Sequence, residues 1–265
     1  MEENGLFSFL SSLRRFFGHS SVRKTAAVLL ALLVWQLGAM LIGKELILVS
    51  PAKVFLRLLS IWQEPGFFVA IGNSLFRIVL GFVAAFLLGV LLAVTAGRFS
   101  FVETLLYPYI AVVKAVPVVS FIVLAYVWMS SSMISAFIAF LIVLPTVYTT
   151  LLSGIKARDE SLEEMADVFD ISARDRFLYL RLPNLAPYIT SSASLGMGLA
   201  FKSGIAAEII AVPANSMGEM FYYANLWLES VDLFTWTVVL LLLSIVTERL
   251  LVLLLKLGFR RLWRK

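Results

Sequence analysis

The sequence predicts an all-α integral membrane protein with about six spanning helices, and three observations carry that expectation. Hydrophobic residues make up 61% of the 265 residues and charged residues only 15%, far from the soluble average. The apolar residues gather into stretches of about 20, the length that crosses a bilayer core as a helix. Lys and Arg fall almost entirely on one side of those stretches. A spanning segment must satisfy its backbone polar groups internally, so each stretch is expected to be helical.

The spans fall at about 25–43, 71–97, 105–129, 133–153, 186–211 and 234–257. With the N-terminus inside, the cytoplasmic segments hold fifteen Lys and Arg, and the outer segments hold Lys44, Lys53 and Arg57 alone. That bias places both termini in the cytoplasm of a multi-pass cell-membrane protein. It also accounts for the net charge of +5 without a nucleic-acid partner. Arg14, Arg15, Arg23 and Lys24 precede the first apolar run, which is too long for a signal peptide and has no small-residue cleavage site. The first span is therefore expected to be retained. The chain has no cysteine, which excludes disulfides, thiolate chemistry and Cys-ligated metals. Its one histidine, His19, lies in the polar N-terminal segment and reads as solvated, so neither catalytic nor metal-binding residues are expected.

Between the first two spans, Ser50-Pro51 reads as an N-cap followed by proline at the first helical position. Val54, Phe55, Leu58, Leu59 and Trp62 then share a face, predicting an amphipathic outer helix that ends at Pro65-Gly66. Pro108 and Pro117 interrupt the third span and Pro145 the fourth, and each should kink its helix. The fifth span carries Ser191, Ser192, Ala193, Ser194, Gly196, Gly198 and Gly204, small residues that let helices approach closely in lipid. They predict tight packing against another helix, across a dimer interface. Ser216 with Glu219 forms a capping box in the outer segment 212–232, which is acidic and rich in aromatic residues.

The longest strongly polar segment, 161–183, reads as two short helices and a turn. Ser161 with Glu164 is read as a capping box, Asp170 as the turn residue, and Ser172 with Asp175 as the start of the second helix. Pro183 is expected to halt that helix. The segment contains Glu164-Met165-Ala166, three residues, Asp170, nine residues, and Leu180-Arg181-Leu182-Pro183. This resembles the E-A-A, three residues, G, nine residues, I-x-L-P loop of importer-type ABC permeases, with Met165, Asp170 and Leu180 as departures. Asn73-Ser74-Leu75-x-Arg77-x-x-x-Gly81-Phe82, Tyr107-Pro108, Lys114-x-x-Pro117 and Ala207-Glu208 extend the likeness to permeases of nitrate, sulfonate, taurine and related importers.

The resemblance implies a type I ABC importer transmembrane domain over 67–257, with a cytoplasmic coupling loop at 154–185. Segment 1–24 precedes it as a cytoplasmic region, 25–66 adds a first span and the outer helix, and 258–265 is a basic tail. Glu164, Met165, Ala166, Asp170, Leu180, Leu182 and Pro183 would then form the element that docks on an ABC ATPase. Segment 212–232 reads as an outer gate and a docking surface for an extracytoplasmic solute-binding protein, and an interfacial aromatic belt accounts for its aromatics nearly as well. A second copy of the permease would complete a dimer. No G-x-x-x-x-G-K-[ST] occurs, so ATP and Mg are expected on the partner ATPase, with no cofactor in this chain and no enzymatic activity of its own.

Charges inside spans are costly and usually face a cavity or a partner. Lys202, Lys114 and Glu208 are expected to line the path, with Arg77 beside them in a more structural role. Their excess of positive charge leans toward an anionic solute such as nitrate, a sulfonate or taurine. A neutral or cationic vitamin precursor remains the alternative, since relatives of such permeases carry those. An ion-driven secondary transporter is a further alternative, for which Glu208 and Glu248 are the candidate carboxylates. A membrane enzyme or a scaffold protein is the remaining rival, and the residues offer no nucleophile and base for an enzyme.

Overall fold

The computed structural model describes residues 20–263, with side chains for 24–262. Every described element is helical: α1 (Ser20–Ile42), α2 (Pro51–Leu58), α3 (Phe67–Arg98), α4 (Ser100–Ala115), α5 (Val118–Trp128), α6 (Ser131–Lys156), α7 (Glu160–Val168), α8 (Leu182–Ala211), α9 (Met217–Leu226) and α10 (Ser230–Trp263). A 3-10 turn spans Ile61–Gln63, and a π turn at Arg176–Arg181 leads into α8. Five helices are long and apolar enough to cross a membrane, or six if the bent pair α4–α5 counts as one. His19, Arg14 and Arg15 lie outside the described residues.

The chain divides into two compact units. In the first, α1 and α2 accompany the start of α10. Trp35 Nε1 donates to the carbonyl of Val49 at 2.9 Å, and Arg57 grips Asp232 through Nε and Nη2 at 2.6 and 2.9 Å. Ser50 caps α2 as expected, accepting from the Lys53 amide with Pro51 at the first position. The helix ends at Leu58, earlier than the Pro65-Gly66 stop, because the chain tightens into the 3-10 turn.

In the second unit, α3, α6 and α8 form the packed centre. Buried residues on α3 recur as Ala70, Ser74, Ile78, Phe82, Ala85, Gly89, Ala93 and Ala96, a helical stripe of mostly small side chains. A Cβ added at Gly81 would stand 2.2 Å from the Ala136 carbonyl oxygen, so only glycine permits α6 to lie this close. Ile134, Ile138, Val143 and Val147 of α6 are fully buried, as are Ala200 and Ala207 of α8. Half or more of the apolar window is buried on α6 and α8, against 6% on α10. The apolar surface of α10 is therefore left for lipid or another chain.

Three expectations change. The third span is two helices, bent by 102° where Val116 and Pro117 break the hydrogen-bond ladder. Pro108 is held within α4, so Pro117 makes the break. Pro183 does not halt a helix: the π turn widens the backbone just before it, and the helical path runs on through the proline into α8. The helix is consequently continuous from Ala173 to Ala211. Finally, much of the small-residue face of the fifth span is used within the chain. Ser192, Ala193, Gly196 and Gly204 are buried, while Ser191 remains exposed.

Candidate functional site

Helix α7 begins at Asp159, whose side chain accepts from the Ser161 amide at 3.0 Å. This corrects the expected Ser161–Glu164 capping box: Asp159 takes the N-cap, and Ser161 falls inside the first turn. The other end closes as a Schellman motif. Asp170 adopts a left-handed conformation, with φ of 48°. Its amide donates to Asp167 O at 3.2 Å, and the Ile171 amide donates to Ala166 O at 3.0 Å. The fixed step from Ala166 to Asp170 thereby acquires a cause, since Ala166 is the buried acceptor and Asp170 the turn residue.

Ser172 restarts the chain as expected, accepting from the Asp175 amide at 3.1 Å. The π turn then brings two arginines back against α7. Arg181 makes a two-pronged bond to Glu163, at 2.8 Å on each oxygen, and Arg176 reaches Asp167 at 2.6 Å. The hydrogen bond from Arg181 is the largest influence on Glu163 and holds its carboxyl below its ordinary pKa, against the opposing effect of burial. Sequence reading missed Glu163, Asp167, Arg176 and Arg181 as a unit. The signal was the pair of acidic residues four apart, which share a helical face.

Along the opposite side, Leu162, Met165, Val168 and Phe169 expose between 41% and 79% of their surface. Glu164 is exposed as well, while Leu180, Leu182 and Pro183 are partly covered. A helix pinned by ion pairs on one side and apolar on the other is a ready partner-binding element. Beneath it, a cleft of about 550 Å³ opens between the ends of α3 and α6 and the π turn, with Arg98, Arg158 and Arg181 among its lining residues.

At the far end of α8 the expected path residues separate. Glu208 is fully buried, not turned to a cavity, because three groups enclose its carboxylate. Ser74 Oγ donates to Oε2 at 2.6 Å, the Gly218 amide donates to the same oxygen at 3.3 Å, and Arg77 Nη1 stands 3.6 Å from Oε1. Ser74 Oγ also accepts from the Met217 amide at 2.8 Å. Arg77, partly covered, thus lies beside a residue of opposite charge. Lys202 is exposed on another face of α8. Lys114, also exposed, donates to Thr149 Oγ1 at 3.2 Å beside the break between α4 and α5. The structure joins Arg77 to Glu208 and leaves both lysines apart from that pair.

The linker from α8 to α9 is strained where it meets this cluster. Val212 and Asn215 have φ of 46° and 54°. A left-handed backbone costs a non-glycine residue about 1–2 kcal/mol, and a β-branched valine has no local polar group to offset it. Asn73 Nδ2 donates to Asn215 O at 3.0 Å and holds the turn to α3. Ser216 caps α9 by accepting from the Glu219 amide at 3.0 Å, as the capping box requires. In return Glu219 Oε2 accepts from the Asn215 amide, one residue earlier than in the standard box.

Residues 85–261 match the family described as the binding-protein-dependent transport system inner membrane component. The chain belongs to that family. The permease is 27% identical to the taurine transport system permease protein TauC of Escherichia coli, covering 91% of this chain and 86% of the relative. It is 24% identical to the nitrate import permease protein NrtB of Synechocystis, covering 71% of this chain and 72% of the relative. It is also 24% identical to the formylaminopyrimidine transport permease protein ThiX of Halalkalibacterium halodurans, over 69% of this chain and 73% of the relative. The permease is accordingly an all-α, multi-pass membrane subunit of an ABC importer. Its relatives are transport proteins, not enzymes.

Proposed function

We propose that this permease forms the path for a small anionic solute delivered by an extracytoplasmic binding protein, and that a separate ATPase drives it through 160–183. The feature that carries this reading is the mechanical continuity of the loop with the fifth span. Helix α7 is clamped to the π turn by Glu163–Arg181 and Arg176–Asp167, and the π turn runs without a break into α8. A partner seated on Leu162, Met165 and Phe169 would therefore move a spanning helix and not a loose loop. ATP and Mg would stay on that partner, and two permease copies would enclose the path.

The solute class rests on charge. Glu208 stands against Arg77, whereas Lys114 and Lys202 of the third and fifth spans are exposed, as are Arg249 and Lys256 of the sixth, and relatives named for nitrate and taurine fit a solute with an anionic group. The relative named for formylaminopyrimidine supports a neutral or cationic solute as the second reading.

The coupling test is Glu164→Lys, which alters the exposed docking face and leaves the Glu163 clamp in place. In proteoliposomes holding the permease with its ATPase and binding protein, substrate-stimulated hydrolysis should fall while membrane insertion stays normal. Stimulated hydrolysis at the wild-type level would refute the docking assignment.

A further inference from the structure

The residues that sharpened the family resemblance lie on two segments more than 130 positions apart, and the fold brings them together. Asn73, Ser74 and Arg77 of α3 and Glu208 of α8 all meet the short linker before α9. Ser74 and Glu208 are fully buried and cannot touch solute, and Asn73 and Arg77 are partly covered. The docking loop at the other end of α8 gives them no role either.

We propose that Glu208, Ser74 and Arg77 form the latch of the outer gate, a clasp that holds the linker 212–218 shut and releases as the path opens outward. "Outer" here rests on the importer topology proposed above. Two opposed pairs of effects make the cluster suited to switching. While closed, the carboxylate receives Ser74 and the Gly218 amide, and Ser74 in turn receives the Met217 amide. The same closed state keeps a charge out of water and two non-glycine residues in left-handed backbone. Lifting the linker would give up those bonds but hydrate the carboxylate and relax Val212 and Asn215. Such a balance of opposing effects is what lets a small push choose between two states.

Glu208 Oε1 and Arg77 Nη1 are buried without a hydrogen-bond partner, so the closed ion pair is held at contact distance and not fully bonded. Gly218 sets how closely the clasp fits. A Cβ there would stand 2.2 Å from Glu208 Cβ, so any other residue would lift the linker.

The test uses the permease in complex with its ATPase and binding protein in proteoliposomes, the chain having no native cysteine to confuse labelling. Ser74→Ala removes both bonds of the bridging hydroxyl and leaves the Arg77–Glu208 pair. It should raise ATP hydrolysis without binding protein about fivefold, the shift expected when a hydrogen bond of ordinary net strength is lost from a two-state equilibrium. Position 217, probed as Met217→Cys, should react with an external maleimide only when Ser74 is also replaced. Unchanged hydrolysis together with an unreactive position 217 in a normally inserted Ser74→Ala protein would overturn the latch.

A second measurement leaves the three latch residues intact. Asn73→Cys with Asn215→Cys, joined by a short reducible cross-linker, should stop transport and recover it on reduction. Transport at the uncross-linked rate would equally overturn the proposal. A wild-type complex lacking binding-protein-stimulated hydrolysis would instead count against the importer reading itself, which separates the two failures.

Discussion

Asp170 occupies the left-handed C′ position that glycine favours, and the two bonds of the Schellman turn close around it. Its short polar side chain tolerates that backbone better than a branched one would, so the departure from the usual glycine leaves the turn intact. Glu163 makes a sharper expectation. Its folded pKa is depressed by Arg181, so the clamp is fully present above the ordinary glutamate range and lost as pH falls through the lowered value. Amide protection across 160–168, taken relative to the intrinsic exchange rate at each pH, should fall as the pH drops below the ordinary glutamate range, and Glu163→Gln should remove most of that loss. An unchanged acid profile in the variant would show that Glu163 is not the group responsible. Lys202 belongs at this scale as well. Lys202→Met keeps the length of the side chain and removes its charge, so transport of an anionic solute should weaken through a higher KM. Wild-type rate and affinity would remove Lys202 from the path and the anion argument with it.

Among the elements, what could be read in advance followed from local chemistry. The caps at Ser50, Ser172 and Ser216 were legible because an N-cap is written in three or four consecutive residues. The Schellman turn at Asp170 was legible for the same reason. The 102° break was only half legible: Pro108 and Pro117 both signalled a kink, and no local rule separates a proline that a helix absorbs from one that ends it. Pro183 misled because a π turn precedes it, and a π turn has no short sequence signature. The Glu208 cluster was hidden more deeply. Glu208 stood out as a charge in a span, yet its partners Ser74 and Gly218 come from other segments, so burial had to be seen in three dimensions.

For the whole molecule, the positive-inside bias makes a directional prediction. Cysteines placed singly at the exposed positions Ser60 and Asn225 should react with an impermeant maleimide added outside intact cells, and one at the exposed Ser172 should not. Reaction at 172 from outside would reverse the assigned orientation. The same layout explains why two long helices carry little of the folding. The apolar windows of α1 and α10 are each only 6% buried, while α3, α6 and α8 carry the inward-facing stripes.

The unbroken helix from Ala173 to Ala211 has 39 residues, about 58 Å at the usual rise. Its two ends are therefore indexed to each other like teeth on one shaft. A residue inserted between the π turn and Glu208 could not be absorbed in a loop. It would turn the carboxylate by about 100° away from Ser74 or turn Arg181 away from Glu163. Side chains along this shaft can change while its count of residues cannot, so the length of the fifth span is itself a functional quantity.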